Sequence, residues 1–142
     1  MSALELLKFD ANGLIPAVVQ DARTRAVLML GYMNRQALER TIETGRVTFW
    51  SRSRSTYWVK GETSGNYLNV TSIRVNCELN SLLVEVEPLG PTCHEGYQSC
   101  YFRRLTADAT YWEITDEQIK TPAELYGHVS SQTEGATGAR SD

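Results

Sequence analysis

Hydrophobic and polar residues alternate along the chain in segments that predict short strands joined by polar turns. Two apolar runs, residues 14–20 and 26–32, flank the polar segment 21–25, a pattern typical of a β-hairpin. Aromatic and β-branched residues predict further strands, which cover residues 48–51, 56–59, 67–77 and 82–86. We therefore expect an α+β fold built mainly on antiparallel strands.

Helical signals are few and short. Asn34 is a good N-cap and Gly45 can close a helix in the left-handed conformation, which predicts a helix over residues 35–44. Leu38, Thr41 and Ile42 are expected to share one face of this helix. Two shorter helices are expected, one over residues 2–8 and one after Pro122.

Length and composition are those of one domain. A chain of 142 residues can bury most of its apolar surface in one core, which we place in residues 1–128, and the small, polar residues 129–142 should form a disordered tail.

The formal charge of −3 argues against a nucleic-acid partner. No apolar run reaches the roughly 20 residues of a membrane span, and no secretory signal opens the chain. A cytoplasmic protein is expected.

The three cysteines are the first indication of chemistry. Cys93 and Cys100 flank a short polar loop, and Cys77 is predicted to end a strand. In a reducing compartment an odd set of cysteines favours metal ligands or buried thiols over disulfides. Three thiolates around zinc leave one position for water, as in catalytic sites. The alternative is that each cysteine is a small buried hydrophobic residue.

His94 is the candidate general base, because a water on a zinc with three thiolates is less acidic than one on a zinc with three imidazoles. The alternative is that His94 completes a closed structural site as the fourth ligand. Neighbouring residues in an extended chain point to opposite sides, which makes joint ligation with Cys93 awkward.

The strand predicted to end at Cys77 has two chemically different faces. Asn76 and Glu78 share the face opposite the thiol, and Asn80 joins them if the extension continues. Carboxylate and amide oxygens in this layout could hold Mg²⁺, or they could form a solvated strand face. One subunit would have difficulty using both faces in one pocket. We therefore expect a symmetric homodimer in which the thiol serves the neighbouring subunit.

Residues 13–104 resemble the phosphoribosyl-AMP cyclohydrolase family of histidine biosynthesis. The resemblance rests on the segments GLIPAVVQD, VLMLGYMN, ALERTIETGRVTFWSRSRS, WVKGETSGN and GPTCHEGYQSCYFR. It implies a homodimeric enzyme that adds water to the adenine ring of N1-(5-phosphoribosyl)-AMP and opens the N1–C6 bond. It also implies that Cys77, Cys93 and Cys100 are zinc ligands shared between subunits, with His94 handling protons.

One segment departs from the family pattern. Where the family has Asp-Cys-Asp-x-Asp, with the aspartates assigned to Mg²⁺, residues 76–80 read Asn-Cys-Glu-Leu-Asn. The resemblance implies Asn76, Glu78 and Asn80 as the magnesium positions, and they retain one carboxylate of three. Weaker magnesium binding, a different divalent ion and a changed activity are the open alternatives. The alternatives to the family's reaction are a diverged paralogue acting on another purine-like substrate and a non-catalytic zinc-stabilised dimer.

The implied substrate carries two phosphate-bearing arms, so cations and backbone donors should line its pocket. Cationic residues precede the Gly- and Ser-rich segment 61–65, whose backbone N–H groups could approach a phosphate. The expected substrate-binding residues are Trp50, Arg52, Lys60, Glu62 and Ser64. The alternative is a hairpin turn that carries a few surface cations.

Overall fold

One four-stranded sheet and two small two-stranded sheets make up the fold in a computed structural model of the chain. The structure describes residues 2–126, so the tail predicted over residues 129–142 lies outside the described residues. The strands are β1 (Ile15–Asp21), β2 (Val27–Met33), β3 (Thr48–Ser51), β4 (Thr56–Val59), β5 (Leu68–Val75), β6 (Leu82–Pro88), β7 (Arg103–Leu105) and β8 (Trp112–Ile114). The helices are α1 (Arg35–Thr44), α2 (Pro122–Tyr126) and a 3₁₀ helix at Ala3–Leu6.

The main sheet has the strand order β2-β1-β6-β5. β1 pairs with β2 and β6 pairs with β5 in antiparallel fashion, whereas β1 and β6 run parallel. The β3–β4 and β7–β8 pairs are antiparallel too. The predicted hairpin and the α+β class are therefore confirmed. The parallel pair was not predicted, because it joins strands that are far apart in sequence.

α1 begins and ends at the predicted residues. The Asn34 side chain accepts the backbone N–H of Ala37 at 2.8 Å, and Gly45 adopts the left-handed conformation at the C-cap. The Thr41 hydroxyl bonds to the backbone of Thr48, which turns this face of the helix toward β3. Ile42 lies about 100° further round the helix and is 53% exposed. Of the three residues predicted to share a face, Leu38 and Thr41 are thus buried and Ile42 lies at its exposed edge.

The core lies between one face of the main sheet, α1 and the β3–β4 hairpin. Its buried residues include Ile15, Ala17, Val19, Leu38, Phe49, Trp58, Val84 and Val86. The rings of Phe49 and Trp58, which face each other across the hairpin, lie 5.0 Å apart between centroids, and the Phe49 ring packs on Gly31 of β2. This packing fixes the end of β4 and therefore the position of Lys60 and the loop 61–65 that follow it.

The chain after β5 forms a turn and does not continue the strand. β5 ends at Val75, so the prediction that Cys77 ends a strand is wrong. The side-chain oxygen of Asn76 accepts the backbone N–H groups of Asn80 and Ser81, both at 2.9 Å. Asparagine offers the backbone these local bonds in place of ladder bonds, and the extended alternation stops there.

The chain beyond Phe102 forms the β7–β8 hairpin and α2, of which only the helix was predicted. An ion pair of 2.8 Å joins Arg104 and Glu113 across the hairpin. Leu125 and Tyr126 of α2 are each 4% exposed, so the helix packs against the domain. Neither α2 nor any other helix within residues 2–126 is long and apolar enough to cross a membrane.

Candidate functional site

Cys93 and Cys100 lie at the two ends of a closed loop, residues 93–100, which we call the cysteine loop. The backbone N–H of Gly96 donates to the carbonyl oxygen of Cys93 at 2.9 Å. At the far end, the backbone N–H of Cys100 donates to the carbonyl oxygen of Leu28 at 2.7 Å, which ties the loop to β2. A further bond of 3.0 Å, from the backbone N–H of Cys93 to the carbonyl oxygen of Tyr97, closes the first half of the loop on itself.

The Cys93 and Cys100 thiols hydrogen-bond to each other. The bond from Cys100 lowers the pKa of Cys93 to about 6, and the same bond raises the pKa of Cys100. The backbone N–H of Glu95 donates to the sulfur of Cys93 at 3.4 Å and also favours the thiolate. Both bonds favour a thiolate at Cys93, and thiolate sulfur is a preferred ligand of zinc.

A buried cation lies beside the two thiols. Lys60 is 4% exposed, and its ammonium nitrogen is 5.9 Å from the centroid of the Trp58 ring. Its charge favours the ionised form of both Cys93 and Cys100. Burying an ammonium group is costly unless negative charge lies near it. The position of Lys60 thus fits a site that accumulates negative charge on sulfur.

A second loop, residues 61–65, meets the chain just before the cysteine loop. It is closed by a bond of 2.7 Å from the backbone N–H of Gly65 to the carbonyl oxygen of Gly61. The Asn66 side chain that follows packs directly on Gly90, where an added Cβ would lie 2.3 Å from the Asn66 oxygen. The absence of a side chain at Gly90 therefore lets the KGETSGN and GPTCH motifs touch.

The structure brings together only two of the three predicted zinc ligands within one subunit. Cys77 is exposed in the turn after β5, away from the cysteine loop. Within residues 2–126, no group of three or more His, Cys, Asp or Glu side chains is placed to hold a metal ion. His94 is half-buried in the cysteine loop, next to Cys93. A three-sulfur site would thus need a sulfur from another subunit.

The predicted magnesium positions lie in the same exposed turn. Asn76, Glu78 and Asn80 are all exposed. The amide nitrogen of Asn76 donates to the side-chain oxygen of Asn80 at 2.6 Å, so these two side chains meet although the segment is not a strand. A cation at this position would have to compete with the turn's own hydrogen bonds.

Trp50 and Arg52, two of the predicted substrate-binding residues, contact other aromatic rings. Trp50 is half-buried, and its ring packs edge-on against Tyr57 with 4.8 Å between centroids. The Arg52 guanidinium lies 4.1 Å from the centroid of the Tyr32 ring, a cation–π contact. Both side chains therefore have partners on neighbouring strands.

The remaining predicted substrate residues are divided between two places. Lys60 and Ser64 belong to the segment that meets Gly90, and the Ser64 hydroxyl accepts the backbone N–H of Asn66 at 3.2 Å. Glu62 is exposed and lines a separate cavity of about 440 Å³ beside α1. The structure therefore does not gather the five residues around one cavity.

A cavity of about 710 Å³ adjoins the cysteine loop through Gln98 and contains none of the predicted site residues. Polar and apolar residues share its lining, the polar ones including Asp21, Arg23, Thr24, Glu87 and Gln98. Burial acts to raise the pKa of Asp21, but hydrogen bonds from the backbone of Thr24 and Arg23 hold it below the ordinary value. Nothing in the sequence distinguishes these residues from those of an ordinary hairpin turn.

Together these features define an α+β protein whose candidate site is a thiol pair flanked by a buried lysine and a histidine. A profile of the phosphoribosyl-AMP cyclohydrolase family matches residues 29–102. The chain belongs to the phosphoribosyl-AMP cyclohydrolase family, as the sequence resemblance predicts.

Three relatives, each named phosphoribosyl-AMP cyclohydrolase, illustrate this membership. The protein of Pelotomaculum thermopropionicum is 50% identical over 124 residues, which cover 87% of this chain and 95% of that protein. The protein of Solibacter usitatus is 51% identical over 118 residues, with 82% and 92% covered. The protein of Methanosarcina acetivorans is 48% identical over 126 residues, with 89% and 100% covered. The similarity thus extends well beyond the cysteine motifs.

Proposed function

We propose that this chain hydrolyses N1-(5-phosphoribosyl)-AMP by adding water to the adenine ring and opening the N1–C6 bond. The observation that carries the proposal is the contact between the Cys93 and Cys100 thiols beside the buried Lys60. All three residues lie within the range matched by the family profile. The relatives named for this reaction cover most of the chain, so the proposal concerns the whole domain.

Zinc is the cofactor that suits this donor set. It takes thiolate ligands at about 2.3 Å in a tetrahedral arrangement, and two sulfurs already in contact can converge on one ion. We propose Cys93 and Cys100 of one subunit and Cys77 of a second subunit as the three ligands. When bound, zinc would supply a Lewis acid that makes a water molecule more acidic at neutral pH.

The surface beside Cys77 supports a homodimer. Val75 and Leu79, on either side of Cys77, line an apolar groove of about 430 Å³ between the 3₁₀ helix, α1 and β5. The groove includes exposed residues such as Leu6 and Ile42, at 55% and 53% exposure. A second subunit covering this groove would remove apolar surface from water and reach the Cys77 thiol at the same time.

His94 would transfer protons, and Lys60 would offset the negative charge of the site. His94, next to a metal ligand, would take a proton from the attacking water and return one to the ring nitrogen as the N1–C6 bond opens. Three thiolates on one divalent ion leave a net negative site, and the buried ammonium of Lys60 offsets that charge. The lysine would therefore keep the water acidic enough to react near neutral pH.

The direct test is to mix zinc-loaded protein with phosphoribosyl-AMP and follow the ultraviolet absorbance, with and without Mg²⁺. Opening of the adenine ring changes the chromophore, so we expect a progressive spectral change that a chelator abolishes. Zinc binding without turnover of this substrate would instead favour the diverged paralogue. A chain that neither binds zinc nor changes the spectrum would contradict the proposal.

The double substitution Asn76→Asp/Asn80→Asp should raise the affinity for Mg²⁺ at least about tenfold. The two side chains meet at 2.6 Å, so two carboxylates there would repel each other until a cation relieves them. Isothermal titration calorimetry with Mg²⁺ measures the change. Asn12→Asp, which adds a carboxylate at another exposed turn, should leave the affinity unchanged. Equal affinity in the double variant and the wild type would count against a magnesium site in this turn.

A further inference from the structure

The cysteine loop is held from outside by a segment of the chain that lies beyond the family-profile match. This segment, residues 115–120, is called here the strap. The carbonyl oxygen of Gly96 accepts the backbone N–H groups of Ile119 at 2.8 Å and Lys120 at 3.2 Å. The side chain of Gln118 donates to the carbonyl oxygen of Glu95 at 2.8 Å. Three bonds from the strap thus converge on two adjacent carbonyls between the cysteines.

Gly96 is the point of closest approach between the strap and the loop. Its φ is +92°, and a Cβ added there would lie 1.5 Å from the carbonyl oxygen of Lys120. That contact is with backbone, so a side chain could be accommodated only by moving the strap away. A glycine at this position is therefore required by the contact as well as by the backbone conformation.

Both ends of the strap are attached to the domain. At its start, the backbone N–H of Thr115 donates to the carbonyl oxygen of Phe102 at 3.0 Å. The Phe102 ring stacks on Tyr97 of the cysteine loop, with 3.7 Å between centroids. At its end, the strap leads into α2, where Leu125 and Tyr126 are buried. The strap is thus a fixed element against which the loop is positioned.

We infer that the strap positions the cysteine loop for metal binding, with Gln118 and Gly96 as positioning residues. The inference rests on the proposed zinc site and deepens it. The Cys93 and Cys100 sulfurs can converge on one ion only while the loop between them keeps its shape. The loop's own backbone bonds use the carbonyls of Cys93 and Tyr97, whereas the carbonyls of Glu95 and Gly96 are bonded by the strap. Ligands that are already held in place bind the metal more tightly, because the loop loses less conformational entropy when the metal binds.

The variants Gln118→Met and Gly96→Ala test the inference in the full-length chain. Gln118→Met keeps the length of the side chain and removes the donor, and we expect it to weaken zinc binding about fivefold, the effect of one hydrogen bond. Gly96→Ala displaces the strap and should weaken zinc binding at least about tenfold. Glu117→Met places the same methionine on the neighbouring exposed residue and should leave zinc binding unchanged.

Two measurements separate positioning from a merely structural role. The first is zinc affinity by competition with a chromophoric chelator. The second is the reactivity of Cys93 and Cys100 with a disulfide reagent in the metal-free protein, which should rise in Gln118→Met as the loop loosens. Loss of thermal stability with unchanged zinc affinity and thiol reactivity would overturn the inference. A wild type that binds no zinc would refute the proposed zinc site and with it the metal-binding role of the strap, whereas a wild type that binds zinc, with unchanged affinity and thiol reactivity in both variants, would refute the strap's role alone.

Discussion

Replacing Cys93 or Cys100 by serine is expected to remove zinc and turnover together. The two thiols contact each other within one loop, and either serine leaves a single sulfur in that subunit. Substitution of residues that only support metal ligands typically costs 10–100-fold in affinity, so loss of a direct ligand should exceed about 100-fold. Metal content after gel filtration and the absorbance assay measure the two losses in parallel.

The control for this result is the stability of the metal-free chains. Serine is nearly isosteric with cysteine, so the melting temperature of each variant in chelator should stay close to that of metal-free wild type. A variant that melts normally, has lost its zinc and still turns over would show that the metal is not catalytic. Full zinc content in either variant would show that these thiols are not the ligands.

Mixing two inactive variants, Cys77→Ser and Cys93→Ser, restores about a quarter of wild-type activity after subunit exchange. If each site takes Cys77 from one subunit and the thiol pair from the other, a heterodimer contains one complete site and one doubly defective site. Random exchange makes about half of the dimers mixed, and half of their sites are intact. The exposed position of Cys77, apart from the paired thiols, is the structural reason to expect this sharing.

The matched control is a mixture of Cys93→Ser with Cys100→Ser. Both substitutions fall in the loop that one subunit supplies, so every site in every dimer lacks one sulfur and no activity returns. Recovery of activity in the first mixture and none in the second would establish that Cys93 and Cys100 come from one subunit and Cys77 from the other. No recovery in either mixture, with subunit exchange verified by mass, would contradict a shared site.

Much of the fold was predictable because its signals are local. The bounds of α1 followed from Asn34 and Gly45, whose cap geometries depend only on the residues beside them. The β1–β2 hairpin followed from alternation around a polar turn. The predicted end of β5 was too late because the Asn76 side chain closes a turn. Side-chain bonds of this kind compete with the backbone bonds of an extended strand.

The candidate site was predictable in its residue types and only partly in its arrangement. The spacing of Cys93 and Cys100 around a polar loop suggested that they converge, and the structure places their thiols in contact. Spacing carried no sign that Lys60 is buried beside them or that Trp50 and Arg52 have ring partners of their own. The strap was not predicted, because its contacts are mainly backbone hydrogen bonds, which any residue can make and which the sequence therefore does not reveal.

The amino-acid sequence by itself determined the class of fold, the bounds of α1 and the family, whereas the helix expected over residues 2–8 is a 3₁₀ helix at Ala3–Leu6. Each of these depends on residue types and on neighbours along the chain. Only the tertiary structure decided that Cys77 stands apart from the thiol pair, that Gly90 admits Asn66, and that residues 115–120 hold Gly96. Such contacts join segments far apart in sequence, and the packing of the whole domain selects them, since no local pattern favours one distant partner over another.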